Sequence, residues 1–164
     1  MAELSFTPMT RTDFETFWPD FKRIVGACET YAIDPEIDAE RAYTLWCQTP
    51  QATFAVKDAN GTLLGSYYLK ANAQGPGGHV CNCGYMVNAR ARGKGVARAM
   101  CEHSQRIARE LGFEAMQFNA VVATNEVAVS LWQRLGFAIV GTVPGAFHHA
   151  SQGAVDIHVM HKFL

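Results

Sequence analysis

The stretch Tyr85-Met86-Val87-Asn88-Ala89-Arg90-Ala91-Arg92-Gly93-Lys94-Gly95-Val96-Ala97-Arg98 runs a strand into a glycine-rich basic turn and then straight into a helix. A helix N-terminus leaves backbone N–H groups without intrahelical partners, and its aligned peptide dipoles place partial positive charge there. A phosphate-bearing anion can therefore be held by main chain alone, and glycine lets it come close. Spacing rules out two nucleotide motifs that use a similar turn. A Walker loop places Ser or Thr after its Gly-Lys, whereas Lys94 is followed by Gly95; a dinucleotide fingerprint needs a third glycine that this helix lacks.

Outward from the turn, strand and helix signals alternate. Upstream, Leu4 to Thr7 reads as a strand, and Thr10 or Thr12 caps a helix carrying Phe14, Phe17, Trp18, Phe21, Ile24 and Val25 at helical spacing. Asp38 caps a second helix that ends by Pro50. Thr53 to Lys57 and Leu63 to Leu69 are strands joined by Asp58-Ala59-Asn60-Gly61, where Asn-Gly predicts the positive φ angles of a tight hairpin. His79 to Val87 is the next strand, with Gly84 as a bulge or kink. Downstream, helical spacing runs from Gly95 to Gly112, Met116 to Val122 is a strand, and Asn125 to Leu135 is a helix closed by Gly136. Phe137 to Val143 and Val155 to His161 are the last strands, with His148-His149 in the loop between them.

The chain has 164 residues, 49% of them hydrophobic, which predicts one compact α/β domain spanning residues 1–164. A formal charge of −1 gives no global basic field for nucleic acid. The arginines and lysine at Arg90, Arg92, Lys94 and Arg98 form a local patch suited to a small anion. No apolar run is long enough to span a bilayer, and Met1 to Pro8 lacks the features of a secretion signal, so the expected location is cytoplasmic and away from membranes. Cysteines 28, 47, 81, 83 and 101 contain no Cys-x-x-Cys, and His79, His158 and His161 show no ligand spacing, so the expectation is reduced thiols and no metal.

The second motif is Asn125-x-x-Ala128-x-x-Leu131-Trp132-x-x-Leu135-Gly136-Phe137. Together with Arg92, Gly95 and Ala97 it resembles the GNAT family of acetyl-CoA-dependent N-acetyltransferases. That family's pyrophosphate loop reads Arg/Gln-x-x-Gly-x-Gly/Ala, and its next helix commonly reads Asn-x-x-Ala-x-x-Leu-Tyr-x-x-Leu-Gly-Phe. The order of elements is similar over nearly the whole chain. The resemblance implies a mixed, mainly antiparallel α/β (α+β) sheet of about six to seven strands flanked by about four helices. Three blocks, His79-Val80-Cys81-Asn82-Cys83-Gly84-Tyr85, Phe118-Asn119 and Val121-Val122-Ala123-Thr124-Asn125, are closest to the azetidine-2-carboxylate/proline-analogue acetyltransferase group.

The resemblance implies acetyl-CoA as co-substrate, a small-molecule amine as acceptor, and a homodimer. Backbone amides of Arg92, Gly93, Lys94, Gly95, Val96 and Ala97 would hold the pyrophosphate. Met86 and Val87 would offer a strand edge to the pantetheine arm, and an N–H of one of them would serve as oxyanion donor, with Asn125 and Trp132 on the later helix completing the coenzyme site. In the similar group the asparagines matching Asn82, Asn119 and Asn125 belong to the substrate and cofactor site, which puts Asn82 and Asn119 with Val87 among the catalytic candidates. Asparagines inside strands need hydrogen-bond partners whatever their task, so bulge-stabilising amides are the competing reading. Glu29 and Tyr31, after the first helix, are the candidates for acceptor contact.

Trp132 stands where many relatives have Tyr. An indole N–H cannot protonate a leaving thiolate near neutral pH, which makes Trp132 a packing residue beside the pantetheine. Direct attack by the amine in a ternary complex is the expected route, since nothing next to Cys81, Cys83 or Cys101 in sequence activates a thiolate for an acetyl-cysteine intermediate. The alternative is a catalytically weak acyl-CoA-binding or regulatory module.

Overall fold

The computed structural model describes residues 3–164. Met1 and Ala2, the start of the segment read above for a secretion signal, lie outside the described residues. Strand β1, Ser5–Pro8, leads into helix α1, Arg11–Gly26, through a capping box: Thr10 Oγ1 accepts from Asp13 N–H at 3.0 Å, and the Asp13 carboxylate accepts from Thr10 N–H at 3.1 Å. Phe14, Phe17, Phe21, Ile24 and Val25 fall on one face of α1 and are all buried. Asp38 caps α2, Ala39–Tyr43, accepting from Arg41 N–H at 2.8 Å, and a wider π-helical turn over Thr44–Gln48 carries the buried Trp46.

The sheet begins with the hairpin of β2, Ala52–Lys57, and β3, Leu63–Ala71. Its turn differs from expectation: Gly61 has φ +79° but Asn60 does not have a positive φ. The Asp58 carboxylate accepts from the N–H groups of Asn60 and Thr62, each at 2.9 Å, and Asp58 N–H closes the loop onto Thr62 C=O, so the side chain of Asp58 replaces the second positive φ. Strand β4, Val80–Val87, follows, then a short 3-10 turn at Ala89–Ala91, helix α3, Val96–Glu110, strand β5, Ala115–Val122, and helix α4, Glu126–Arg134. The long hairpin of β6, Ala138–His149, and β7, Gly153–Phe163, ends the chain.

Strand order is β1-β2-β3-β4-β5-β7-β6, antiparallel throughout except for β4 and β5. Seven strands and four α-helices among the described residues agree with the architecture implied by the family resemblance. Helix α1 with Trp46 covers one sheet face, and α3 and α4 cover the other, through clusters around Phe14–Phe21–Trp46 and around Met116–Phe118–Phe137. Two further expectations are corrected. Gly84 is in regular register with Tyr68, with no bulge; a Cβ there would lie 2.5 Å from the Tyr68 ring, so glycine is needed for close approach of that ring. His148 and His149 sit in β6, opposite Ala154 and Gly153, because the strand continues past Pro144 through an irregular register instead of ending at Val143.

Among the described residues, no helix is long and apolar enough to cross a membrane, and no group of three or more His, Cys, Asp or Glu side chains is placed to hold a metal ion.

Candidate active site

The site follows from one defect in the sheet. Strands β4 and β5 pair only at Val80↔Ala115 and Cys81↔Met116, and beyond those residues they part. Val80 C=O accepts from Asn72 N–H at 2.8 Å and Asn88 N–H donates to Leu64 C=O at 2.9 Å, so even-numbered residues of β4 turn their main-chain groups toward β3. By the same alternation Tyr85 and Val87 face the gap. The Tyr31 hydroxyl donates to the Tyr85 carbonyl there. Of the two N–H groups expected as oxyanion donors, that of Met86 lies inside the β3 ladder, and only that of Val87 faces the opening.

Where β4 ends, the chain makes the turn expected to hold a pyrophosphate. Asn88 fixes it at both ends of its side chain, accepting from Ala91 N–H at 2.9 Å and donating to Leu63 C=O at 2.7 Å. Gly93 and Gly95 then take φ of +74° and +77°, a left-handed region that costs other residues about 1–2 kcal/mol. Gly95 is the N-cap of α3 and supplies no side-chain acceptor, so the first N–H groups of the helix remain available to an anion. Arg92 and Lys94 are exposed beside them, while Val96 is buried and anchors the helix to the sheet. Asn125 caps α4, accepting from Ala128 N–H at 3.4 Å.

Between the parted strands lies a cavity of about 330 Å³. Its walls are aromatic: Tyr31, Trp46 and Tyr68 on one side, Tyr85, Phe118 and Trp132 on the other. Trp46 meets Tyr68 edge-on at 4.9 Å between centroids, and Trp132 lies 5.1 Å from Tyr85 and 5.2 Å from Phe118. Trp132 is thus a buried packing residue lining the cleft, as its indole chemistry leads one to expect.

The asparagines come together at the polar end. Asn82 Oδ1 accepts from the Tyr68 hydroxyl at 3.0 Å, and its Nδ2 donates to Gln117 C=O at 3.0 Å, tying β3, β4 and β5 where the parallel pairing stops. Asn119, exposed at a register irregularity of β5, accepts from Gln117 Nε2 at 3.0 Å and donates to Asn72 Oδ1 at 2.7 Å. Both amides are held by the protein itself. Lys70 lies opposite Asn82 in the register and lines the same end; the reading of the sequence passed it over, although its alternation with Tyr68 on one strand places the two side chains on a common face.

Glu29 is exposed and stands outside the cavity lining, although Thr30 and Tyr31 belong to it. The backbone turns sharply just before it: Cys28 has φ +51°, and its carbonyl accepts from Ala150 N–H at 3.0 Å, which ties this loop to the tip of the β6–β7 hairpin. His148 and His149 also lie outside the lining.

No carboxylate or imidazole lines the cavity among the described residues. Burial pushes the Tyr68 phenol up to about 12 and raises Tyr31 and Tyr85 as well, so all three stay protonated near neutral pH. Burial likewise holds the thiol of Cys83, the cysteine lining the cavity, well above its ordinary value, so it stays a thiol and not a nucleophilic thiolate. The three phenols have their protons assigned: Tyr31 to Tyr85 C=O, Tyr68 to Asn82, and Tyr85 in a 2.7 Å bond with Ser104 Oγ.

Residues 14–137 match the family described as "Acetyltransferase (GNAT) family". The chain belongs to that family. Among solved structures, a GCN5-related N-acetyltransferase from Kribbella flavida is 49% identical, with 98% of each chain covered and a TM-score of 0.93. The N-acetyltransferase aca1 of Schizosaccharomyces pombe is 31% identical over 152 residues; the match takes in 92% of this chain and 66% of that relative's length. The yncA acetyltransferase from Salmonella typhimurium, solved with acetyl-CoA, shares the fold at 16% identity, with a TM-score of 0.86 and 99% and 95% of the two chains covered.

Proposed function

We propose that this GNAT chain transfers acetyl from acetyl-CoA to the amine of a small molecule, an amino acid or proline analogue being the favoured class, by direct attack in a ternary complex. The observation that carries the reading is the parting of β4 from β5, which leaves Val87 N–H on the open edge of β4, between the cavity lined as far as Tyr85 and a helix N-terminus built on two left-handed glycines. The residues fit the coenzyme: Lys94 N–H is taken by Ala91 C=O at 3.4 Å, but the first amides of α3, left without a side-chain cap at Gly95, suit a pyrophosphate, and the free edge of β4 suits the amides of pantetheine. Bound acetyl-CoA would supply an activated thioester. The chain's own part is to orient it, to offer Val87 N–H to the developing oxyanion, and to shut water out with the aromatic walls.

Proton transfer is left to the reactants and water. Among the described residues the cavity has no carboxylate or imidazole to act as base, and its phenols are committed elsewhere. A coenzyme A thiol has a pKa near the ordinary thiol value of about 8.5, so it can depart without a protein acid. The acceptor enters as its free amine.

Thiol release from acetyl-CoA, followed across a panel of amino acids and proline analogues, tests the reading. Amine-dependent release is the expected result. The same cavity without acid or base, together with Trp132 at the usual Tyr position, favours a second reading: a coenzyme-binding module with little turnover. Tight coenzyme binding with no amine-dependent release would select it. A homodimer belongs to the same proposal, because β6 is an edge strand carrying exposed Ile139, Val140 and Val143. A monomeric mass by light scattering at micromolar concentration would reject that part.

A further inference from the structure

We propose that Lys70 reads a carboxylate on the acceptor, so that the cleft selects amines bearing an acid group over amines bearing a second positive charge. The proposal rests on the acetyl-transfer reading above and adds the residue that sets acceptor choice. Three lysines on the sheet are partly buried. Lys57 pairs with Asp13 at 2.7 Å, and Lys162 donates to Gln105 Oε1 at 2.6 Å and to Leu135 C=O at 2.8 Å. Lys70 alone of the three has no hydrogen bond or salt bridge among the described residues; its Nζ lies 5.4 Å from the centroid of the Tyr68 ring, at the cavity.

The surroundings define what would satisfy it. Among the described residues Lys70 is the one charged side chain lining the cavity, so nothing in the protein balances its ammonium there. The Tyr68 face gives this ammonium a weak cation–π attraction, which leaves its charge unneutralised and its hydrogen-bond donors without an acceptor until an anion joins it. The nearest polar neighbours in the register are amides: Asn82 directly opposite, with Asn119 next along β5. Each side-chain NH₂ has one N–H in use and one left over, since Asn82 Nδ2 donates to Gln117 C=O and Asn119 Nδ2 to Asn72 Oδ1. An ammonium flanked by spare amide donors is a carboxylate site. The aromatic walls next to it suit the apolar body of a small amine, whose nitrogen then points along the gap toward Val87. A polyamine would bring a second cation to a cavity holding one cation and no anion, which selects against it.

The test is acetylation kinetics on matched pairs, proline with prolinamide and alanine with alaninamide, plus putrescine as a diamine. The enzymes are wild type, Lys70→Met, Lys70→Arg and Lys70→Glu, with coenzyme A affinity by calorimetry as the check that each variant is folded. Wild type should prefer each acid to its amide. Lys70→Met should raise KM for the acids about tenfold or more, equivalent to about 1.4 kcal/mol, with kcat nearly unchanged and the amides unaffected. Lys70→Arg should keep the preference, and Lys70→Glu should turn it toward putrescine. A wild-type acid-to-amide ratio near one, or equal KM rises for acid and amide in Lys70→Met, overturns the role of Lys70 and leaves acetyl transfer standing. Absence of acetyl transfer to every amine of the panel by wild type overturns both.

Discussion

Replacing Gly84 by alanine tests the packing that shapes the acceptor side of the cavity. A Cβ at this position would stand 2.5 Å from Tyr68 Cε1 and 2.9 Å from Cζ, well inside van der Waals contact. The ring has no easy retreat. Its hydroxyl is bonded to Asn82 Oδ1 at 3.0 Å, and its ring packs perpendicular to that of Trp46 with centroids 4.9 Å apart. Overpacking of a well-fitted site costs about 1–3 kcal/mol, and breaking the Tyr68–Asn82 bond with Asn82 Oδ1 still buried adds about 1 kcal/mol, so the expected loss is about 2–4 kcal/mol. Urea unfolding should show it as a lower midpoint at unchanged slope. The acceptor KM should rise while coenzyme A affinity stays near wild type, because the turn from Arg92 to Ala97 does not touch Tyr68. In a Tyr68→Ala background the clash has no partner, and Gly84→Ala should then cost little, giving a coupling energy of about 2 kcal/mol. A single-mutant loss below about 0.5 kcal/mol, or the same loss in both backgrounds, would refute the reasoning.

Three further outcomes are expected. Gly95→Asp combines a left-handed φ of +77° with a new negative charge at the helix N-terminus, so coenzyme A should bind more than about tenfold more weakly; equal affinity removes the turn from the coenzyme site. His103, stacked on Phe6 at 4.1 Å and bonded through Nδ1 to the Tyr67 hydroxyl at 2.6 Å, has its pKa lowered by burial and then by Arg106. The unfolded chain therefore takes up this proton first: the contribution is complete above the ordinary value of about 6.5 and is lost as pH falls below it, so melting temperature should drop from pH 7.5 to 5 and drop less in His103→Gln. An equal slope in the two proteins assigns the loss to other groups. Since no carboxylate or imidazole among the described residues lines the cavity, kcat/KM should rise with pH along the acceptor's own amine ionisation, and an acceptor of different amine pKa should move that limb with it; a limb fixed across acceptors points to a base on the enzyme.

What could be read in advance was whatever the sequence writes into local backbone geometry. Thr10 or Thr12 and Asp38 signal helix starts, and Thr10 and Asp38 do cap α1 and α2; Gly93 and Gly95 signal a turn into a helix, and both take a positive φ there; Asn125 signals the start of α4 and caps it. The β6–β7 hairpin was underread for a physical reason: most of β6 is exposed on both faces, so it lacks the in-out alternation that marks a strand. Pro144 and Gly145 looked like a loop, yet Gly145 N–H donates to Asp156 Oδ1 at 2.9 Å and the strand carries on through an irregular register. Lys70 and the cavity position of Tyr31 depend on which strands are neighbours, and no local pattern encodes that. Glu29 fell outside the cavity because the left-handed turn at Cys28, a residue that rarely takes one, redirects the loop just before it.

The two sides of the cleft also differ in what their chemistry demands of the sequence. In the proposed reading, Val87 and the α3 turn would act on the coenzyme through N–H groups that any residue of suitable conformation supplies, so the glycines and caps would matter more than the side chains between them. The proposed acceptor groups are side chains drawn from β3, β4, β5 and the loop after α1, and Asn82 ties three of these elements together. Its amide satisfies Gln117 C=O at the point where β5 leaves β4, so the strands can part there without stranding a buried carbonyl, while its oxygen holds Tyr68 in the wall. Asn82 can therefore matter greatly to turnover without touching a reacting atom, because one amide both satisfies the carbonyl left where the strands part and holds Tyr68, the neighbour of Lys70, in the cavity wall.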